Sequence, residues 1–299
     1  MPDELSVTLW AVWLFVFGAC VGSFLNVCIY RLPAGLSVVW PPSHCTTCLK
    51  RIAWHDNLPI LGWFLLRGRC RHCGERFSAQ YAGIEALTGL VFAGFYLAYF
   101  VWQVRGPDLA RWDVYLVHMA LLSALIVCSV IDLRTKEIYT VVTYGGMAVA
   151  VVLSALLPAL QAPSHVPQWF AGARLSAVVS SLLGLVVGGA IVWVTALLGR
   201  LVLLLKRSER RDAMGFGDVL LVAMIGAVLG WEGAVLTFFL APFFGLTYGL
   251  WQLARHRDHE VPYGPFLSMG AGAVMLAQRG LVAWFGPGVS AIWQVIGGG

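Results

Sequence analysis

The sequence is short of charge. Of its 299 residues only 12% are Asp, Glu, Lys or Arg, about half the share of an ordinary soluble domain, too few to solvate the surface of a soluble protein of this length. Long polar stretches are scarce as well, and only Arg31 to Gln80 is long enough to fold separately. There is no glycine-rich strand-turn-helix fingerprint for a nucleotide-like cofactor. What the chain has is apolar content: 59% hydrophobic residues before its 33 glycines are counted, and a mean hydropathy of +0.79. These proportions exclude an ordinary soluble enzyme and predict an all-α polytopic membrane protein whose partner is the lipid bilayer, with no nucleic acid involved.

At about 20 residues per span, eight apolar stretches read as transmembrane helices: Ser6–Tyr30, Tyr81–Val104, Val114–Ile131, Ile138–Leu157, Leu175–Gly199, Met214–Trp231, Ala234–Leu253 and Val261–Phe285. Sorting Lys and Arg by the two sides of such an alternating chain puts sixteen of the twenty on one side, and leaves Arg105, Arg111, Arg174 and Arg279 on the other. The positive-inside rule makes the basic side cytoplasmic and puts both termini across the membrane from it. A secretory signal is the alternative for the first segment, with Phe17-Gly18-Ala19-Cys20 as its processing site. Against it, Asp3 and Glu4 stand where a signal is basic, and the apolar run continues ten residues past Cys20. The expected organisation is a first transmembrane helix over residues 1–30, a small cytoplasmic domain over 31–80, and a transmembrane domain of about seven helices over 81–299.

The polar segment carries Cys45-Thr-Thr-Cys48 and Cys70-Arg-His-Cys73, with twenty-one residues between the pairs. Each C-x-x-C turns two thiolates toward one point, and two such knuckles supply the four tetrahedral sulfur ligands of a structural Zn²⁺. In a reducing compartment disulfides are the weaker reading. A domain of about fifty residues also gains from a metal staple what its small core lacks. His44 and His72 could each replace a cysteine ligand but read better as exposed loop histidines, and Cys20, Cys28 and Cys128 read as small buried packing residues.

Of fifteen acidic residues, three fall where solvation in a loop does not explain them. Glu85 lies one turn inside the second span, Asp132 closes the third, and Asp218 sits in Met214-Gly-Phe-Gly-Asp218 at the start of the sixth. Ionisable groups so placed are costly and face a cavity or a partner, although a lone helix-end carboxylate can also snorkel into water. Asp132 and Asp218 share the cytoplasmic boundary, so they meet if helices three and six pack together. Two adjacent carboxylates divide one proton between them, and a water held by such a pair can attack a carbonyl. From Val219 to Trp231 the sixth span reaches only about 20 Å, short of a core of about 30 Å. Gly215 to Asp218 must therefore dip to the interface, which irregular backbone tolerates only beside a cavity or within protein. Gly215 and Gly217 would allow unusual backbone angles there and the close approach of a peptide substrate.

These residues resemble the bacterial type IV prepilin peptidases, the bifunctional leader peptidases and N-methyltransferases of pilus assembly and type II secretion. Gly22-Ser-Phe-Leu-Asn26-Val with Tyr30-Arg-Leu-Pro33 is similar to the family's opening signature, and the double C-x-x-C to its cytoplasmic zinc element. Asp56-Asn57-Leu58-Pro59, Gly68-Arg69-Cys70, Tyr81 with Glu85, Gly215-Phe-Gly217-Asp218 and Pro262-Tyr-Gly-Pro265-Phe also fit, in order. The resemblance implies a membrane-embedded aspartyl endopeptidase of the bacterial inner membrane that removes the short basic leader of prepilins and pseudopilins at the cytoplasmic face. It implies Asp132 and Asp218 as the catalytic pair, N-methylation of the new N-terminus from S-adenosylmethionine, and pilus or type II secretion components as further partners. Asn26 and Glu85 line the substrate path or hydrogen-bond between helices.

Three positions, in two places, depart from the family's pattern. Where its first aspartate is usually followed by Ile-Pro-Asp, this chain reads Ile138-Tyr139-Thr140, and Leu220 replaces a usual Lys two residues beyond G-x-G-D. A different class of explanation is a non-enzymatic scaffold or transporter, in which zinc folds a docking domain and the aspartates gate or relay protons.

Overall fold

The computed structural model describes residues 3–104, 110–161, 172–205, 215–255, 262–277 and 280. Seven of the twenty basic residues sorted above, Arg105, Lys206, Arg207, Arg210, Arg211, Arg257 and Arg279, lie outside the described residues, as do Met214 and nearly all of the expected last span beyond residue 277. The described chain is helical apart from turns and two isolated antiparallel bridges. It divides into two compact units, Met1–Gln103 and Val104–Gly299.

In the first unit α1 (Glu4–Arg31) packs along α3 (Gln80–Tyr96), which continues through a π-helical turn over Leu97–Val101. The contact is built on small residues. A Cβ added at Gly18 would lie 2.9 Å from the Cβ of Phe92, and one at Gly22 would lie 2.8 Å from the Cα of Glu85. Gly89 of α3 faces the carbonyl of Phe15 equally closely. Two helices in lipid gain little from hiding apolar surface from each other, so they adhere through such close backbone packing. Gly22, read above as part of a family signature, is thus a helix contact. Between α1 and α3 lie a single 3₁₀ turn (Trp54–Asn57), the short helix α2 (Leu61–Leu65) and the two cysteine knuckles.

The second unit contains α4 (Trp112–Thr135), α5 (Thr140–Leu156), α6 (Ala173–Leu205), α7 (Phe216–Arg255) and α8 (Gly264–Ala277). α4 ends where Lys136 turns left-handed (φ 57°) and donates its N–H to the Asp132 carbonyl. Tyr139 then enters α5 in extended conformation with no side-chain cap.

α7 is forty residues long but not one rod. At Gly230 φ is 77° and ψ is 174°, and a Cβ on Gly226 would come within 3.1 Å of that of Ala234. In a continuous helix residues eight apart are separated by about 12 Å, so the chain folds back at Gly230. Both arms lie against α6: Gly184 faces Gly226 and Gly230, and Gly188 faces Val222 and Ala234. The carbonyls freed at the fold are not left bare. Ser181 donates to the Ala227 carbonyl, and the Gln161 amide donates to those of Ala227 and Val228, the compensation that a broken helix away from water requires. The first arm, Phe216–Leu229, is buried without interruption from Leu220 onward and spans only about 21 Å.

Five described helices are long and apolar enough to cross a membrane: Glu4–Arg31, Gln80–Val101, Trp112–Thr135, Ala173–Val202 and Phe216–Tyr248. α5 and α8 are apolar but shorter. The protein is multi-pass, but the count of eight is not established by these helices. The expected sixth and seventh spans correspond to the two arms of α7 on either side of Gly230, the first only about 21 Å long, and neither α5 nor the described part of α8 reaches the bilayer thickness unaided.

Candidate active site and metal centre

The four knuckle cysteines converge. Their sulfurs all lie within 4.8 Å of one another, with Cys45 and Cys73 at 3.8 Å and Cys48 and Cys70 at 4.0 Å. A tetrahedral Zn²⁺ with bonds of about 2.3 Å needs sulfurs about 3.8 Å apart, so the arrangement fits that ion. The knuckles are near copies. The Cys45 N–H donates to the Lys50 carbonyl and the Cys70 N–H to that of Glu75; His44 bridges Arg51 and Arg69 bridges Arg76. The sulfurs divide their ionisation unequally. Amides of Cys48 and Thr47 draw Cys45 down to about 6, whereas at Cys73 desolvation and the neighbouring sulfurs outweigh the Glu75 amide and push the thiol up to about 12. His44 Nδ1 pairs with the Pro42 carbonyl at 2.9 Å, and neither it nor His72 belongs to the cluster among the described residues.

A cavity of about 220 Å³ opens between the knuckles and the ends of α1 and α3, with Asn26, Arg31, Asp56, Trp63, Tyr81 and Glu85 among its walls. Asp56 anchors one wall. Its side chain, only 7% exposed, takes a two-pronged ion pair from Arg71, with Nε on Oδ2 at 2.7 Å, and that guanidinium holds the carboxyl below its ordinary range. The Asn26 amide donates to the Tyr81 carbonyl at 3.0 Å. Glu85 Oε2 accepts the Ile60 N–H at 2.6 Å where Ile60 takes φ 63° and ψ −56° and the Leu61 N–H reaches back to Pro59. That is a rare, strained γ-turn, and the carboxylate on α3 secures it. Both polar groups within spans therefore make internal hydrogen bonds on the edge of a cavity.

In the second unit Asp132 and Asp218 come from different helices into one neighbourhood. Asp132, 6% exposed, projects from the last turn of α4 and accepts the Gly264 N–H on Oδ2 at 2.9 Å. Asp218, 9% exposed, stands in the first turn of α7 and reaches back to the Gly215 N–H at 3.1 Å, as an acidic third residue does in a capping box. The two carboxylates are close enough for the charge of Asp132 to act on Asp218, and Tyr263 stands in the field of Asp218. Gly217 is pressed against Ile138, since a Cβ there would lie 2.7 Å from that of Ile138.

The glycines do not use the unusual angles open to them. Neither Gly215 nor Gly217 has positive φ; the left-handed glycines of the described residues are Gly35, Gly68, Gly74, Gly172 and Gly230. At Gly217 glycine is required by crowding, and at Gly215 the nearest non-local atom to an added Cβ is Asp218 Oδ2, at 3.9 Å. Leu220, in place of the family's usual Lys, is buried at 7% exposure, a position where a cation needs a partner. Sequence reasoning missed the contact between Gly264 and Asp132. The Pro262 to Pro265 run signals a helix start, but not what that start touches.

Residues 16–99 match the sequence model described as the bacterial peptidase A24 N-terminal domain, and residues 119–250 match that of the type IV leader peptidase family. The first match falls within the first compact unit and the second within the other. Relatives named prepilin leader peptidase/N-methyltransferase include one from Myxococcus xanthus, 34% identical over 82% of this chain and 64% of its own length. One from Klebsiella pneumoniae is 33% identical over 78% of this chain and 91% of its own, and one from Dickeya chrysanthemi 32% identical over 92% and 95%. No solved structure matches. The chain thus spans just under two thirds of the first of these relatives and nearly all of the other two.

Proposed function

The chain belongs to the type IV leader peptidase family, and from that premise we propose that it is a membrane aspartyl endopeptidase that cleaves the leader from prepilins and pseudopilins and then methylates the new N-terminus. What supports the peptidase reading is that Asp132 and Asp218, buried at the ends of α4 and α7 and each fixed by a backbone N–H, lie within electrostatic reach of each other. Two such carboxylates do not both ionise, so one is a base and the other an acid. The base takes a proton from a water between them as that water attacks the scissile carbonyl. The acid gives its proton to the amide nitrogen as the bond breaks, and the shared proton is then restored. With its apolar segment still in the bilayer, a precursor brings its leader junction to the boundary where helix ends lie.

Eight membrane crossings follow if the two arms of α7 count separately and α5 and α8 each cross. The sorting of basic residues then supports a location in the bacterial inner membrane, with the cysteine domain and both aspartates on the cytoplasmic side. Pilus or type II secretion components are the partners this role implies.

Cys45, Cys48, Cys70 and Cys73 would hold a structural Zn²⁺, which closes the two knuckles and supplies no reactive group. The cavity beside them suits S-adenosylmethionine by the chemistry of its wall, with the rings of Trp63 and Tyr81 for an adenine and the Glu85 carboxylate for cationic and hydroxyl groups. When bound there, this cofactor supplies an electrophilic methyl group to an uncharged amine.

The peptidase reading is tested with purified protein and a pilin-like precursor. Asp132→Asn and Asp218→Asn should each lower cleavage by more than about 100-fold, the order of a lost acid or base. Intact cleavage in both would leave the scaffold or transporter reading in its place. Mass spectrometry of the product N-terminus decides the second activity, since a processed but unmethylated product removes it.

A further inference from the structure

We propose that Pro262–Pro265, at the start of α8, is a third element of the peptidase centre, and that the Gly264 amide is a positioning group that fixes the Asp132 carboxylate. The inference rests on the assignment of Asp132 and Asp218 as the catalytic pair. Gly264 is buried and gives its N–H to Asp132 Oδ2 at 2.9 Å. A side chain at 264 has nowhere to go, because its Cβ would lie 2.8 Å from Oδ2 and 3.3 Å from Cγ of Asp132. The next residue back, Tyr263, lies near enough to Asp218 to feel its charge, so the segment that holds Asp132 also runs near the second carboxylate.

The segment is itself held in register with α4. One turn into α8, Ser268 accepts a hydrogen bond from Ser129 at 2.7 Å and donates to the Gly264 carbonyl at 2.9 Å. A carboxylate on a helix end would otherwise turn about its two side-chain torsions. With Oδ2 held by the α8 amide, which also carries the positive end of that helix, Oδ1 is the oxygen left for water. The arrangement explains why a glycine sits between two near prolines. They preset the helix start, and the glycine lets the Asp132 carboxylate approach the backbone.

The experiment compares leader cleavage, thermal unfolding and methylation of an already cleaved pilin peptide in four proteins. Gly264→Ala keeps the N–H but displaces the carboxylate, and should lower kcat by about 100-fold, the order of an error of one ångström at a reacting centre. Its KM and its methylation of the cleaved peptide should each stay within about twofold, even where overpacking lowers the unfolding midpoint; a merely structural residue would change both activities together. A backbone ester at 264 deletes the N–H and adds no atom, and should lower kcat by about tenfold. Gly145→Ala, on α5 where an added Cβ meets nothing within 4 Å, should behave as the unaltered chain does. If Gly264→Ala does not accumulate as folded protein, the ester decides alone by the same criterion. Cleavage within about threefold of normal in the Gly264 variants, while Asp132→Asn is inactive, overturns the positioning role by itself. An active Asp132→Asn protein overturns the catalytic pair beneath it.

Discussion

Leu49 and Gly74 occupy the same place in the two knuckles, one residue past the second cysteine, and both are left-handed, with φ 56° and 74°. Left-handed backbone costs an ordinary residue about 1–2 kcal/mol, while glycine gives back about 0.5–1 kcal/mol through its freer unfolded chain. Leu49→Gly should therefore stabilise the cysteine domain by up to about 1 kcal/mol. An added Cβ at Gly74 meets nothing within 4 Å, so Gly74→Val should weaken the domain by about 1–2 kcal/mol for backbone reasons alone. Zinc retention against a competing chelator reads both changes, and equal retention in the three proteins would show that backbone strain here is negligible. At this scale the sequence was informative about side chains and silent about amides. Asp132, Asp218 and the cysteines stand out by residue type and position. The donor to Asp132 does not, because every residue but proline carries a backbone N–H.

The elements were legible as apolar stretches, and their starts largely agree with the helices observed. The fold-back of α7 was legible as the gap between the expected sixth and seventh spans, at Glu232 and Gly233, two residues past the observed fold at Gly230. What the pattern could not supply was the partner: Gly184 and Gly188 of α6 receive both arms, and Gly226 approaches the Gly184 backbone. A methyl group at 226 would meet the Gly184 carbonyl first and the Ala234 Cβ beyond it, and backbone cannot move aside as a side chain does. Gly226→Ala should therefore lower stability by about 1–3 kcal/mol, the usual cost of overpacking, seen as a lower unfolding midpoint in detergent. Gly145→Ala supplies the comparison, because the same change there adds helix propensity and no contact. Equal midpoints in the two variants would mean that the α6 to α7 contact is looser than described.

For the whole molecule the proposed reading implies a division of labour. The cysteine cluster and its cavity draw every wall residue from the first compact unit, and the aspartate pair draws every residue from the second. Asp132→Asn should therefore methylate a synthetic pilin peptide with its N-terminus already exposed at a rate within about twofold of normal, while failing to cleave the precursor; the scale of surface changes without shared contacts sets that margin. Parallel loss of both activities would mean that the units act as one site. The sequence by itself determined the solvent of this protein, the four cysteines that could hold a metal ion and the two acids worth suspecting, because hydropathy, residue type and spacing are local properties of the chain. Only the tertiary structure decided that both arms of α7 pack on the glycines of α6, that Gly215 and Gly217 lack left-handed angles, and that α8 reaches Asp132. Those outcomes depend on which backbones approach one another in space, in the last case across more than a hundred residues, and residue type alone does not name the partner of a backbone group.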